Sequence, residues 1–293
     1  MNPEIQIRPL RTGELEKILP SLNDEFIFQR GRKLPLEKRY PDLFSTENVG
    51  NCFAAFSRDG EILSFAATEE RTLRTPSLKI FFVGCVFTAP AVRGCGLAKK
   101  VMESLAETYR KKGFAGGFLW TGLNNFYRSL GWKVCDRTIL MILRSVARGG
   151  ARCPRPSESD ADALAASHGG LLIRRVCDYF KVPPPADVPV RLRTAHGGHL
   201  CGGIGQSAGY VYELRADNAE ELSELLSPFA AECGGREEIW INLQPEQQGE
   251  IALLRSRFPD AEIKHPALQM NLIFSEEHQV LLDGLNIPYL DRI

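Results

Sequence analysis

The sequence predicts an α/β protein made of two similar mixed halves, and three observations predict it. Strand-like and helix-like apolar runs alternate along the 293 residues. A segment rich in Gly, Pro and Arg without apolar periodicity, residues 146–157, interrupts them near the middle. The order of elements before that segment then recurs after it, which reads as a diverged internal duplication. The length itself suits two compact units.

In the first half, Ile5 and Ile7 alternate with polar neighbours ahead of Arg8-Pro9, the pattern of a strand. Thr12, Leu15, Ile18, Leu19 and Leu22 follow at helical spacing. Cys52 to Ser57 and Ile62 to Ala67 are strand-like runs joined by Asp59-Gly60, a pair able to supply the positive φ angles of a tight hairpin. Ile80 to Thr88, rich in Phe and Val, is the next strand. Leu97, Val101, Met102, Leu105 and Tyr109 then recur every three or four residues, with Lys99, Lys100, Glu103, Arg110 and Lys111 on the other face. That spacing predicts an amphipathic helix of about four turns, ending near Gly113. Phe114 to Thr121 reads as a strand, Asn125 to Leu130 as a short helix and Trp132 to Leu143 as a further strand.

The second half repeats the order. Arg155-Pro156 precedes Asp160, Ala161, Leu164 and Ala165 at helical spacing, and Val190 to Thr194 and Leu200 to Ile204 flank Gly197-Gly198 as a second hairpin. Strands are expected at Tyr210 to Leu214, Glu238 to Leu243 and Leu268 to Phe274. Helices are expected at Asn218 to Ala231 and around Glu250 to Arg257.

Composition narrows the function classes. Lys and Arg total 36, as do Asp and Glu, which removes the chain-wide electrostatic argument for nucleic acid or an anionic membrane. The start, Met1-Asn2-Pro3-Glu4, lacks a secretory signal, and no stretch is apolar for long enough to span a bilayer, so a cytoplasmic protein is expected. The eight cysteines form no Cys-x-x-Cys pair and read as free thiols, with no metal site. His196, His199 and Cys201 lack a clear fourth ligand, so the histidines read as solvated turn residues. The oligomeric state stays open, a homo-oligomer included.

The informative segment runs from Val86 to Ala98: a strand, then a turn with Gly94 and Gly96, then a helix. A helix start leaves amide N–H groups without partners, and their dipoles favour an anion. Two glycines let the backbone approach a bulky diphosphate. A dinucleotide fingerprint would need a small residue where Lys99 stands, and a P-loop would need Gly-Lys-Ser/Thr, which is absent. Cys95, at the helix start, could in principle have an activated thiol, but a covalent acyl-cysteine is the minor alternative. Cys85 reads as a small buried hydrophobe.

At these residues the chain resembles the GNAT superfamily of N-acetyltransferases. The family's Arg/Gln-x-x-Gly-x-Gly/Ala signature corresponds to Arg93-Gly94-Cys95-Gly96-Leu97-Ala98, after the fourth strand and opening the long helix. A second family element, a tyrosine followed by an apolar-Gly-aromatic ending, corresponds to Phe126-Tyr127-Arg128-Ser129-Leu130-Gly131-Trp132. The resemblance implies two GNAT-like domains, each a central, mostly antiparallel sheet flanked by helices: residues 1–145 binding acetyl-CoA and residues 154–293 a degenerate counterpart. The second half has Arg215-Ala216-Asp217-Asn218-Ala219 in place of the signature, which speaks against a cofactor site there. Tandem units of this kind occur in mycothiol-synthase-like proteins and in the enhanced-intracellular-survival acetyltransferases.

The resemblance also implies roles. The backbone of Val86, Phe87 and Thr88 would pair with the pantetheine arm of acetyl-CoA, the amides of Arg93, Gly94, Cys95, Gly96, Leu97 and Ala98 would hold the pyrophosphate, and Asn125 would stand on the cofactor side. Tyr127 would protonate the departing thiolate; its plainer reading is a packing residue. Glu69 and Glu70 are the nearest carboxylates for deprotonating the acceptor, with a water chain as the alternative. The implied activity is direct acetyl transfer to a primary amine of a small molecule or peptide, against a non-catalytic acyl-CoA-binding regulatory protein as the competing reading. The cluster Arg30, Arg32, Lys33, Lys38 and Arg39 reads as a solvated loop, placed where this family shapes its acceptor site, which leaves room for an acidic or phosphorylated acceptor.

Overall fold

The computed structural model describes residues 5–74, 76–147, 149, 172–173 and 176–293. Its elements run β1 (Gln6–Pro9), α1 (Leu15–Phe26), α2 (Leu36–Arg39), β2 (Phe53–Phe56), β3 (Ile62–Thr72), β4 (Lys79–Thr88), α3 (Leu97–Lys111), β5 (Gly116–Trp120), α4 (Asn124–Arg128), β6 (Lys133–Val134) and β7 (Ile139–Arg144). The second half continues with β8 (Val188–Arg193), β9 (His199–Ile204), β10 (Ala208–Arg215), α5 (Ala219–Glu232), β11 (Glu238–Leu243), α6 (Gln248–Arg257), β12 (Glu262–Lys264), β13 (Gln269–Ile273) and α7 (Gln279–Gly284). The helix expected around Asp160 to Ala165 and a boundary at residue 154 lie outside the described residues.

Two mixed sheets flanked by helices result, as the alternation of apolar runs predicts. The first has the order β1-β2-β3-β4-β5-β13-β6 and the second β12-β7-β11-β10-β9-β8. In each, a single parallel pair, β4 with β5 and β10 with β11, interrupts antiparallel pairing. Helix α3 buries Leu97, Val101, Met102, Leu105 and Tyr109, the stripe its spacing marks, against one face of the first sheet. At about 1.5–3 kcal/mol per fully buried apolar side chain, that stripe is a main anchor of the helix. The opposite face is covered by α1 and α2 on one side and by residues 281–293 on the other.

The run expected as one strand, Trp132 to Leu143, is broken in two, and its parts join different sheets. β6 pairs with β13, whereas β7 pairs with β11 and β12. Conversely β13, from near the end of the chain, lies beside β5 in the first sheet. The two sheets thus exchange one strand each. Asp136 holds the crossing: its carboxylate accepts from the amides of Thr138 (3.0 Å), Leu268 (2.7 Å) and Gln269 (3.1 Å). Burial alone would push this carboxyl up; Arg292 and the surrounding donors outweigh that and hold it below the usual carboxylate range. The core residues of β7 are apolar on both faces, so period-two patterning does not say which sheet they enter.

Buried ions also span the halves. Arg71 on β3 makes two 2.6 Å bonds to Asp178, while Lys181 bridges Asp178 and Glu69, each at 3.1 Å. Arg39 donates to Asp187 and to the carbonyls of Val182 and Ala186. It is fully buried, which corrects its reading as part of a solvated loop: the loop after α1 packs on the second half, and only a charge paired there can be dehydrated.

Because the exchange completes both sheets, a fragment ending at residue 145 would leave β5 as an unpaired edge and β7 without a sheet. Such a fragment is expected to show no cooperative urea transition by circular dichroism. A transition at the full-length midpoint would refute that dependence.

Candidate active site

The opening in the first sheet comes from a bulge in β4. Across the β3–β4 ladder Phe65 faces Phe87 and Ala67 faces Gly84, so Cys85 and Val86 together oppose Ala66. Cys85 adopts a φ of 49°, the left-handed region that a non-glycine residue enters only when a bulge or turn demands it. The extra residue turns β4 away from β5: their parallel ladder runs from Ile80–Gly116 to Val83–Leu119 and stops. Beyond it no strand among the described residues pairs with Gly84–Thr88 on the β5 side. Cys85 packs with the α1 and α2 side of the sheet and Val86 with the α3 side.

The turn after β4 is open and glycine-dependent. Gly94 has a φ of 80° and Gly96 a φ of 75°, and a Cβ on either would meet nothing within 4 Å. The constraint is therefore backbone conformation rather than space. Gly96 is the N-cap of α3, with no side-chain cap and no acidic residue in the first turn. The first-turn amides thus face outward unsatisfied, and Gly94, Cys95 and Gly96 are exposed. Arg93 donates from Nε to the Thr88 carbonyl (3.0 Å) and from Nη2 to Glu25 (2.8 Å), so its side chain ties the turn to β4 and α1.

Tyr127, on α4, is buried to 7 % exposure against Phe126 and Trp132 on the α3 side of the sheet. Burial pushes its phenol up to about 12, so it stays protonated across the neutral range. Its hydroxyl has no hydrogen-bond partner among the described residues and is not sealed from solvent. Asn125, one turn earlier, is exposed. Val86 and Tyr127 thus share the α3 side of the sheet, Phe87 lies on the α1 and α2 side, and the Arg93–Ala98 turn follows the end of β4.

The two carboxylates are held elsewhere. Glu69 opposes Phe82, below the bulge, and is buried between Lys181 (3.1 Å) and Arg71 (3.4 Å). Glu70 lies on the opposite face of β3, paired with Lys112 at 3.1 Å. Residues after β13, invisible to periodicity, approach the opening instead. A Cβ at Gly84 would lie 2.8 Å from the backbone carbonyl carbon of Ile293, and Ile293 packs in the clusters that hold Cys85 and Phe82.

The second half repeats the opening and closes it. β10 carries a bulge between Val211 and Glu213, and its parallel ladder with β11 stops at Val211–Ile241. Side chains fill the gap: Asn242 donates to the Val211 carbonyl (3.1 Å) and Gln247 to the Leu214 carbonyl (2.7 Å). At the start of α5, Asn218 Oδ1 accepts from the amides of Glu220 and Glu221, and Glu221 accepts from the amide of Asp217. A capped helix start with two acids in its first turn repels a phosphate.

His199 is 2 % exposed, its Nε2 lying 3.0 Å from Glu213 across the β9–β10 pair, which corrects the reading of a solvated turn residue. The hairpin turn is one residue further from it than expected, because β9 begins at His199 itself. Among the described residues no group of His, Cys, Asp and Glu could hold a metal ion. No described helix is long and apolar enough to cross a membrane.

Residues 6–135 match the family model for an acetyltransferase (GNAT) domain. No curated protein sequence matches the chain. Among solved structures, a probable N-acyltransferase of Enterococcus faecalis V583 superposes with a TM-score of 0.65 at 13% identity, covering 92% of this chain and 72% of that one. A GCN5-related N-acetyltransferase of Kribbella flavida gives 0.64 at 17% identity, with 92% and 71% covered. Another from Anabaena variabilis ATCC 29413 gives 0.64 at 12% identity, with 92% and 73% covered. At such identities these likenesses concern the fold.

The close approach of Ile293 to Gly84 generates a stability test. Gly84→Ala should force the end of the chain or β4 to move, at about 1–3 kcal/mol, the usual cost of overpacking. The measure is the urea midpoint, and an unchanged midpoint would show that the contact is not tight.

Proposed function

Starting from a GNAT acetyltransferase domain in residues 6–135, we propose that this protein transfers the acetyl group of acetyl-CoA directly to a primary amine. The observation that carries the proposal is the pairing of an unpaired β4 edge, Gly84–Thr88, with an uncapped helix start at Gly96. The first suits an extended amide-bearing arm laid along it as an added strand. The second suits a diphosphate. Acetyl-CoA joins both features in one molecule.

In this reading Val86, Phe87 and Thr88 hold the pantetheine arm through their backbone, and the turn from Arg93 to Ala98 holds the pyrophosphate. Asn125 stands exposed at the cofactor side of α4. The neutral amine attacks the thioester carbonyl carbon, a nitrogen–carbon bond forms, and the developing oxyanion is met by a β4 amide. The carbon–sulfur bond then breaks, and Tyr127 supplies its proton to the leaving thiolate. A phenol kept protonated by burial, with an unengaged hydroxyl, suits that task. Glu69 is engaged by two cations and Glu70 lies on the other face, so we assign the amine proton to cleft water rather than to either.

Calorimetry with acetyl-CoA tests binding, and coenzyme A release across an amine panel tests turnover. Gly96→Glu should abolish acetyl-CoA binding, since it places a carboxylate and a strained φ at the diphosphate position; retained affinity would refute the site. Tyr127→Phe should lower kcat by about 10²–10⁴-fold with acetyl-CoA affinity unchanged. Full turnover in that variant would remove the assigned role.

A further inference from the structure

On the α1–α2 side of the opening, one cation lacks what every other enclosed arginine nearby possesses. Arg39 is bonded to Asp187 and three carbonyls, Arg71 is paired with Asp178 and Glu69 although its Nε is without a partner among the described residues, and Arg191 is bonded to four carbonyls. Arg32 is half-buried, yet among the described residues its side chain makes one hydrogen bond, a 3.3 Å contact to the Phe26 carbonyl, and no ion pair. The strongest charged influences on it are Arg39 and Arg30, both cations, and the phenols of Tyr289 and Tyr40; the nearby Asp187 carboxylate is engaged by Arg39 and by the amides of Lys33 and Leu34. Burial and the like charges destabilise its charged form. A guanidinium has five N–H donors, so most of its donor capacity is unused among the described residues.

Tyr40 lies beside it. The residue is 4 % exposed, but its hydroxyl has no partner among the described residues and is not sealed from solvent, so its donor is unused. Burial raises its phenol well above the usual value, which keeps it a donor. Tyr40 packs in the cluster that contains Cys85, the bulge residue, and Ile293. Arg32 and Tyr40 therefore stand on the face of the opening opposite Tyr127 and α3, away from the turn at Gly94 and Gly96.

We propose that Arg32, with the Tyr40 hydroxyl, receives an anionic group of the acceptor, so that the preferred substrate is an amine that also carries a carboxylate or a phosphate. The inference rests on the reading of this opening as an acyl-transfer site. An oxyanion there accepts a charge-assisted, fork-like pair of bonds from the guanidinium and removes the cost of an uncompensated cation. A cationic acceptor would meet Arg32 and Arg30 and be repelled.

The test uses the full-length protein and matched probes: ω-amino carboxylates of increasing length against their carboxamides, and O-phosphoethanolamine against ethanolamine. Affinity is read by calorimetry with coenzyme A bound, and transfer by coenzyme A release. The anionic member of a pair is expected to bind about 10- to 100-fold better, the range of one charged hydrogen-bonded contact. Arg32→Gln should erase that preference through KM, leaving kcat and acetyl-CoA affinity unchanged and the unfolding midpoint no lower. Arg32→Lys should restore part of it, and Tyr40→Phe should weaken it less. No preference in the wild type, a preference that survives Arg32→Gln, or a loss of acetyl-CoA affinity in that variant would each overturn the inference. If no amine is acetylated, the acyl-transfer reading fails, while the binding comparison still decides whether Arg32 selects anions.

Discussion

One constraint organises the first half: a single extra residue in β4. The bulge at Cys85 and Val86 ends the parallel ladder with β5 after Val83. Everything proposed for the site follows from that divergence. It leaves a strand edge without a strand, splits the side chains of Cys85 and Val86 between two faces, and aims the chain toward the turn that starts α3. A regular strand at this point would close the sheet and leave no entry for a ligand.

The second half shows that the bulge by itself is not sufficient. β10 departs from β11 in the same manner, but Asn242 and Gln247 satisfy the carbonyls exposed by the departure. The amides at the start of α5 are satisfied by Asn218 and Glu221. The difference between an open and a closed copy thus lies in a few polar side chains. Backbone groups left unpaired in one half are paired in the other, as the cost of burying an unsatisfied amide or carbonyl requires.

The halves are also bound to each other where the opening lies. Exchange of β7 and β13 makes each sheet depend on the other half's chain. Buried charge pairs, Arg71 with Asp178 and Arg39 with Asp187, fix β3 and the loop after α1 to the second half. The segment ending at Ile293 packs against Gly84 at the base of the opening. In this arrangement the second half packs against the loop after α1, and Tyr289 near its end is among the groups that influence Arg32.

Much of this was legible in the residues. The stripe from Leu97 to Tyr109 predicts α3 and its buried face, Asp59-Gly60 predicts the β2–β3 hairpin, and Glu238 to Leu243 predicts β11 at its observed ends. The same holds for the turn at Gly94 and Gly96, because positive φ and an uncapped helix start are local properties that local sequence encodes. The strand exchange, the pairing of His199 with Glu213, the burial of Arg39 and the approach of Ile293 to β4 were not legible. Each is a contact between residues distant in sequence or on neighbouring strands, and apolar patterning says that a residue is buried without saying against what. Sequence by itself determined most of the elements, the glycine turn and the absence of that turn from the second half; tertiary structure alone decided which strand joins which sheet and how the second opening is closed, since both depend on which distant groups reach the unpaired backbone.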